Sequence, residues 1–444
     1  MSMNRDEKIE EVLKTIKEKE IEFATLEFTD INGIIKSFGV TTGRIESILK
    51  EGEHFDGSSI TGYGSIEESD MVAIPDPFTF HEIPWDMGNG LDECAFLCDI
   101  YEPDGKRYAG DPRYILQKIA EEAKKMGYEF MCAPELEFFI LKEEESIEPR
   151  DMRGYFEADP HLIDEQMRKE IAYYAKEYGI EIETLHHEVA EGQSEIDFKY
   201  DTALKTANHT VWLKMLVKVV AAQYDYIATF MPKPFQNVNG SGMHVHQSLW
   251  KEGKNAFYSK TNENNLSQVA KHFIGGQLKY AKEMAAVLCS WPNSYKRLVP
   301  GYEAPVYLGW GFKNRSSLIR VPNYTSEKGA RCEIRCPDPA GNPYLQLAVL
   351  LATGLEGIKQ KIEPPEPSDV NVYKLSTKEM KKRGIEALPA NLYEALMEFE
   401  KSDLMKKVFG EKTFRNFLWA KLEEFDKYRV VISDWEFERY VRKL

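Results

Sequence analysis

The sequence predicts an α+β protein, with a small β-rich N-terminal unit (residues 1–104) ahead of a larger unit (105–444) in which helices alternate with short strands. Two features carry this reading: a β-hairpin signature followed by strand-like pieces up to about Ile100, and a run of helical periodicities that starts after a turn-rich break. Ile9, Val12, Leu13 and Ile16 recur at helical spacing, so the first twenty residues form an amphipathic helix. IEFATLEFTD, Asn32-Gly33 and IIKSFGV then read as a hairpin, because Asn-Gly tolerates the positive φ angles of a tight turn. The segment EPDGKRYAGDPR ends the first unit, and a long helix begins near Pro112. Helices are expected over 112–126, 163–178, 201–223, 265–289, 343–361, 387–400 and 413–428, with short strands between them.

Composition excludes several classes. The chain has 444 residues, 43% of them hydrophobic, which is ample for a packed core and rules out a disordered or collagen-like chain. The net charge of −16 repels nucleic acid and anionic membranes, so any anionic substrate must be held by a locally basic site. The charged N-terminus has no apolar core of a secretory signal, and the apolar stretch Val211 to Phe230 is interrupted by Lys214, Lys218 and Asp225. A cytoplasmic protein without a membrane span is the expectation. Cys94, Cys98, Cys132, Cys289, Cys332 and Cys336 include no Cys-x-x-Cys pair and read as reduced, structural thiols. Neither a Walker-type loop nor a G-x-G-x-x-G fingerprint occurs.

Chemistry concentrates on four strand-like segments. Alternate residues of a strand face opposite sides. In APELEFF, Glu135 and Glu137 therefore oppose Leu136 and Phe138; in QSEIDF, Glu195 and Asp197 oppose Ile196 and Phe198. MHVHQSL sets His244, His246 and Ser248 against Met243, Val245 and Gln247, and RCEIRC sets Glu333 and Arg335 against Cys332, Ile334 and Cys336. For any single strand, a solvated sheet face is the plainer reading. Four charged fronts rich in acids argue otherwise, because like carboxylates on one face repel and a divalent cation relieves that repulsion. Carboxylates with an imidazole and no thiolate suit Mg²⁺ or Mn²⁺. Glu188 in HHEVAEGQSE lies where it can join this site, whereas His186 and His187 alone carry little weight. The stretch NVNGSGMH lets backbone approach a ligand closely. Lys296, Arg297, Lys313, Arg315, Arg320, Lys328, Arg331 and Arg335 form a basic cluster suited to carboxylate and phosphate, with Lys296 and Lys313 the first candidates for plain surface charges.

FDGSSI (55–60), PELEFF (134–139), HHEVAEGQSEIDF (186–198), NGSGMHVHQSL (239–249), LVPGYEAP (298–305), NRSSLIR (314–320) and RCEIRCPDPAGNPY (331–344) resemble, in order, the motifs of class I glutamine synthetases. The resemblance spans nearly the whole chain. It implies a β-grasp-like N-terminal domain and a catalytic domain built on a curved, mainly antiparallel sheet with flanking helices. It also implies ATP-dependent ligation of ammonia to the γ-carboxylate of glutamate through a γ-glutamyl phosphate. By this resemblance, Glu137, Glu188 and Glu195 hold one metal, and Glu135, His244 and Glu333 the other. Arg297, Asn239 and Gly240 receive glutamate. Glu183, His246, Ser248, Lys328 and Arg331 surround ATP, with Arg320 a further member. Arg315 and Arg335 balance the charge of the transferring phosphoryl group.

Ammonium must lose a proton before it can attack, and the resemblance gives that task to Asp56, aided by Ser59, Tyr155 and Glu188, with Glu303 on a closing flap. Asp56 lies in the small unit and the metal ligands in the large one, and family sites of this kind form between neighbouring subunits of a homododecamer of two hexameric rings. A small regulatory protein is a further partner suggested by the family. Tyr373 falls where some members carry a modified tyrosine, but its surroundings argue against modification here, and Ser65 replaces an arginine tied to product inhibition in some relatives. Two rivals are a γ-glutamyl-amine ligase of the same superfamily and a noncatalytic assembly or effector-binding protein. The acids of the ammonium cluster oppose the first, and the complete ligand set opposes the second.

Overall fold

The computed structural model describes residues 3–63, 69–85, 92–143, 147–158, 163–300, 302, 304–368, 379 and 385–444. Glu303, Ser65 and Tyr373 lie outside the described residues.

The N-terminal helix Arg5–Glu18 is closed by a capping box between Asn4 and Glu7, and it buries Ile9, Val12 and Ile16. Six strands follow: β1 (Phe23–Thr29), β2 (Ile35–Thr41), β3 (Glu53–Asp56), β4 (Asp70–Pro75), β5 (His81–Glu82) and β6 (Glu93–Tyr101). They form one sheet of order β2-β1-β6-β4-β3, with β5 paired to β6. The β1–β6 pair is parallel and the others are antiparallel. The helix Ile45–Glu51 packs on this sheet, and Leu26, Phe28, Ile48, Leu49 and Phe96 fill its core.

The β1–β2 hairpin closes differently from the tight turn expected of Asn32-Gly33. Thr29 pairs with Ile35, leaving a five-residue loop, and only Gly33 of the two takes a positive φ, +81°. The buried Asp30 carboxylate dictates this geometry by accepting from the amides of Asn32 (2.9 Å) and Ile34 (3.0 Å). A Cβ on Gly33 would lie 2.6 Å from the Asn342 Cα, so the loop rests directly on the larger unit.

That unit carries an eleven-stranded sheet of order β15-β16-β17-β13-β7-β10-β9 along its main path. Its strands are β7 (Glu129–Glu143), β8 (Ile147–Pro149), β9 (Ile182–His187), β10 (Gln193–Phe198), β11 (Asp201–Thr202), β12 (Ile227–Thr229), β13 (Met243–Lys251), β14 (Lys254–Asn255), β15 (Trp310–Phe312), β16 (Ile319–Val321) and β17 (Cys332–Ile334). All pairings are antiparallel except β15–β16. One face is apolar: Leu136, Phe138, Ile196, Phe198, Met243, Val245 and Ile334 join a single core with the helices Ala203–Gln223, Gln268–Lys279 and Pro343–Gln360. The helix expected over 265–289 breaks at Tyr280 into Gln268–Lys279 and Ala281–Leu288. All six cysteines are buried and unbridged, and no helix among the described residues is long and apolar enough to cross a membrane.

Among the contacts that join the units, Arg113 pairs with Asp76 and Asp99, Asn416 donates to the Gly62 carbonyl, and two further side chains, Asn342 and Trp212, reach across. Asn342 caps the helix Pro343–Gln360 by accepting from the amides of Tyr344 (3.0 Å) and Leu345 (3.3 Å), while its Nδ2 donates to the Asp30 carbonyl at 2.9 Å. Trp212 Nε1 donates to Glu27 Oε2 at 3.1 Å, and burial raises the Glu27 carboxyl from 4.5 to about 7 despite that bond.

Asn342→Ala is expected to cost about 1–2 kcal/mol through the lost cap alone. Asn342→Asp keeps the cap but loses the donation to Asp30, so its unfolding midpoint falls between those of the parent and the alanine variant. Glu27 holds its proton more tightly in the folded chain than in the unfolded one. Its contribution is therefore complete below about pH 4.5 and is lost as pH rises towards about 7. Thermal unfolding should show Glu27→Gln gaining on the parent across that window, by up to about 3 kcal/mol above it.

Candidate active site

Strand register assembles the charged face. Counting across the sheet, His244 stands opposite Glu135 and Glu135 opposite Asp197. One step along, Glu137 faces Glu195 and Glu195 faces His186. On the other side, His246 pairs with Glu333 and Glu333 with Arg320. The apolar back fixes the alternation, so a one-residue slip in any strand would bury these charges in the core.

Two cavities open on this face and share Glu135 as a wall. The first, about 110 Å³, is lined by Glu135, Glu137, Tyr155, Glu188, Glu195, Asn239, Gly240, His244, Arg297, Tyr302, Arg315, Arg320, Glu333 and Arg335, together with Gln193. The second, about 380 Å³, is lined by Glu135, Glu183, Asp197, His246, Ser248, Lys328 and Arg331, among others. Arg320 lines the first cavity, apart from His246, Ser248, Lys328 and Arg331 in the second, and its Nη1 donates to Glu333 Oε2 at 2.7 Å.

Within the first cavity, Glu135, His244 and Glu333 offer ligand atoms within 4.8 Å of one another. His244 Nδ1 lies 3.0 Å from Glu135 Oε2, and His246 Nε2 lies 2.7 Å from Glu135 Oε1. Burial opposes the charge on Glu135, but the hydrogen bonds to these two imidazoles outweigh it and hold the carboxyl well below its usual range. Glu333, 1% exposed, is also held low against its burial by His246 and Arg335, and Arg335 Nη1 donates to it at 2.9 Å.

A second triad comprises His186, Glu188 and Glu195, again within 4.8 Å. It differs from the expected Glu137, Glu188 and Glu195 by including His186, a residue given little weight from sequence. His186 is recruited because β9 pairs with β10 exactly at Glu195, information absent from local periodicity. Glu137 has different partners: its Oε2 accepts from Gln193 Nε2 at 3.0 Å and from the Gly242 amide at 2.9 Å. Burial raises the Glu195 carboxyl strongly, and repulsion from Glu137, Asp197, Glu135 and Glu188 adds to it. Asp197 is raised to about 7 by burial and by Glu135. Carboxylates packed this closely could hold a divalent ion, which would remove the repulsion and displace the proton.

Arg297, 3% exposed, donates to the carbonyls of Arg335 (3.1 Å), Cys336 (2.9 Å) and Pro337 (3.3 Å) and still lines the first cavity. The glycine-rich loop makes room for this side chain, since a Cβ on Gly242 would collide with the Arg297 guanidinium and the His244 ring. Lys296 stacks over Tyr428, away from the site. Asp56 and Ser59 are exposed and line neither cavity; Asp56 Oδ1 accepts from the Ser58 amide at 2.8 Å in a local turn. A single chain therefore gathers the acids, imidazoles and arginines but leaves Asp56 outside.

Comparison with known proteins gives this arrangement its context. The family described as "Glutamine synthetase, catalytic domain" matches residues 109–440, and that described as "Glutamine synthetase, beta-Grasp domain" matches residues 20–103. A glutamine synthetase of Methanosarcina mazei is 48% identical over 98% of each chain. One of Thermotoga maritima is 45% identical over 98% of this chain and 99% of its own. Among solved structures, glutamine synthetase of Plasmodium falciparum superposes with a TM-score of 0.87 at 27% identity, covering 99% of both chains. A structure titled GmaS/ADP complex gives 0.88 at 30% identity, covering 97% of this chain and 99% of that one. The chain belongs to the glutamine synthetase family and is an enzyme that ligates ammonia to glutamate.

Proposed function

We propose that the first cavity holds glutamate and two divalent ions, Mg²⁺ or Mn²⁺, and that the second holds ATP. The family in general uses ATP and divalent metal. The observation that carries this reading is the shared wall: Glu135 lines both cavities, so phosphates entering from one meet the acid cluster of the other. Glu135, His244 and Glu333 would hold the ion on the ATP side, and Glu137, Glu188 and Glu195 the other, with His186 as a neighbour. Bound there, the ions would supply positive charge to the phosphates and to glutamate.

The chain's own residues do the rest. Arg297 and the Asn239-Gly240 backbone orient the two ends of glutamate that do not react. Glu183, His246, Ser248, Lys328 and Arg331 hold the nucleotide so that the γ-phosphorus lies in line with the glutamate γ-carboxylate. A carboxylate oxygen then forms the new P–O bond as the bond to ADP breaks, and Arg315 and Arg335 spread the transferring charge. Arg320 helps by fixing Glu333. Ammonia next forms a C–N bond at the acyl carbon, and phosphate leaves.

Ammonium needs an acceptor for one proton. We assign this to Asp56 of a neighbouring subunit, with Ser59 beside it and Tyr155 and Glu188 facing them; Glu303 would close the site against water. The exposure of Asp56 supports a site completed by assembly, for which a homododecamer of two hexameric rings is the proposed form. A cytoplasmic location, a division near residue 104, and a small regulatory protein as a further partner belong to the same proposal.

Glu333→Ala should reduce kcat by about 1,000-fold or more, as loss of a preorganised charge-stabilising group does. It should also lower Mn²⁺ affinity at one site of the assembled enzyme; near-normal turnover would overturn the assignment. Asp56→Ala should abolish amide formation while ammonia-independent phosphate release from ATP and glutamate persists. Equal loss of both reactions would remove its role in deprotonation.

A further inference from the structure

We infer that Gln193 is a positioning residue that locks the Glu137 carboxylate and the Asn239-Gly240 loop into one unit. The inference rests on the reading of Glu137 as a metal ligand. Gln193 opens β10, is 1% exposed, and extends its side chain into the gap between β7 and the glycine-rich loop. Its Oε1 accepts from the Ala190 amide at 3.2 Å, which fixes the amide's orientation and turns the NH₂ group towards the site. From there Nε2 donates to Glu137 Oε2 at 3.0 Å and to the Gly240 carbonyl at 3.3 Å.

The consequence for Glu137 is directional. Its Oε2 is claimed by Gln193 and by the Gly242 amide, whereas its Oε1 lies on the His244 side, 3.9 Å from Nε2. The two donors therefore leave one oxygen to present to an ion. The backbone of Gln193 adds a third tie: its carbonyl accepts from the Glu188 amide at 2.8 Å, and its amide donates to the Ala190 carbonyl at 3.0 Å. One residue thus links two acids of the cluster to the loop assigned to glutamate. Partners of this kind orient metal-binding groups, and their loss typically weakens metal binding about 10- to 100-fold.

The test uses the assembled enzyme and titrates free Mn²⁺ by electron paramagnetic resonance. Gln193→Met preserves volume and removes the amide. It should weaken one class of Mn²⁺ site about 10- to 100-fold, leave the other class unchanged, and raise the glutamate KM but not the ATP KM. A merely structural residue would lower stability without that split. Glu137→Gln is the control. If it leaves Mn²⁺ binding intact, the metal reading of Glu137 fails; if it weakens binding while Gln193→Met does not, the positioning role is overturned.

Should Gln193→Met fail to assemble, Gln193→Asn serves instead: its shorter side chain keeps the amide but cannot reach both Glu137 and the Gly240 carbonyl. It should show the same split, a raised glutamate KM with an unchanged ATP KM, and an unchanged glutamate KM would overturn the inference.

Discussion

Like charges gathered on one face of a sheet are the constraint on which the rest of the large unit depends. Glu137 and Glu195 face each other across β7 and β10, with Glu135 and Asp197 one step away. Such a row is unstable in isolation. It is held by an apolar reverse face that cannot move without exposing Leu136, Phe138 and Ile196, and by imidazole and guanidinium groups placed around its rim: His244, His246, Arg320 and Arg335. The core supplies the stability, and the charged face stores an electrostatic demand that a divalent ion can meet.

Much of this was legible in the sequence because period-two alternation reports which residues share a face. Glu135, Glu137, Glu195, His244 and Glu333 could be grouped with no knowledge of strand order. What alternation omits is which residues lie side by side on neighbouring strands. His186 joins Glu195 only through the β9–β10 register, and Arg320 reaches Glu333 only because β16 pairs with β17. Gln193 was invisible for another reason: an amide among apolar and acidic neighbours has no pattern until its hydrogen bonds are seen.

The hairpin shows the same division on a smaller scale. Asn32-Gly33 correctly announced a reversal of the chain, but the nearby Asp30 carboxylate, capturing two loop amides, decides the loop's length. Its shape in turn serves the contact with Asn342, more than three hundred residues away. The small unit is therefore coupled to the helix Pro343–Gln360, which follows directly on the segment carrying Glu333 and Arg335. Asp56 resisted interpretation because its setting, the exposed end of the edge strand β3, is ordinary within a single chain.

Glu135 gives one oxygen to His244 and the other to His246, and those rings look into different chambers. Whatever draws electron density from one oxygen alters what the second can offer. Glu135 is therefore a side chain through which occupants of the two chambers can feel one another, and any such coupling is reciprocal: whatever one does to the affinity of the second, the second does to the first.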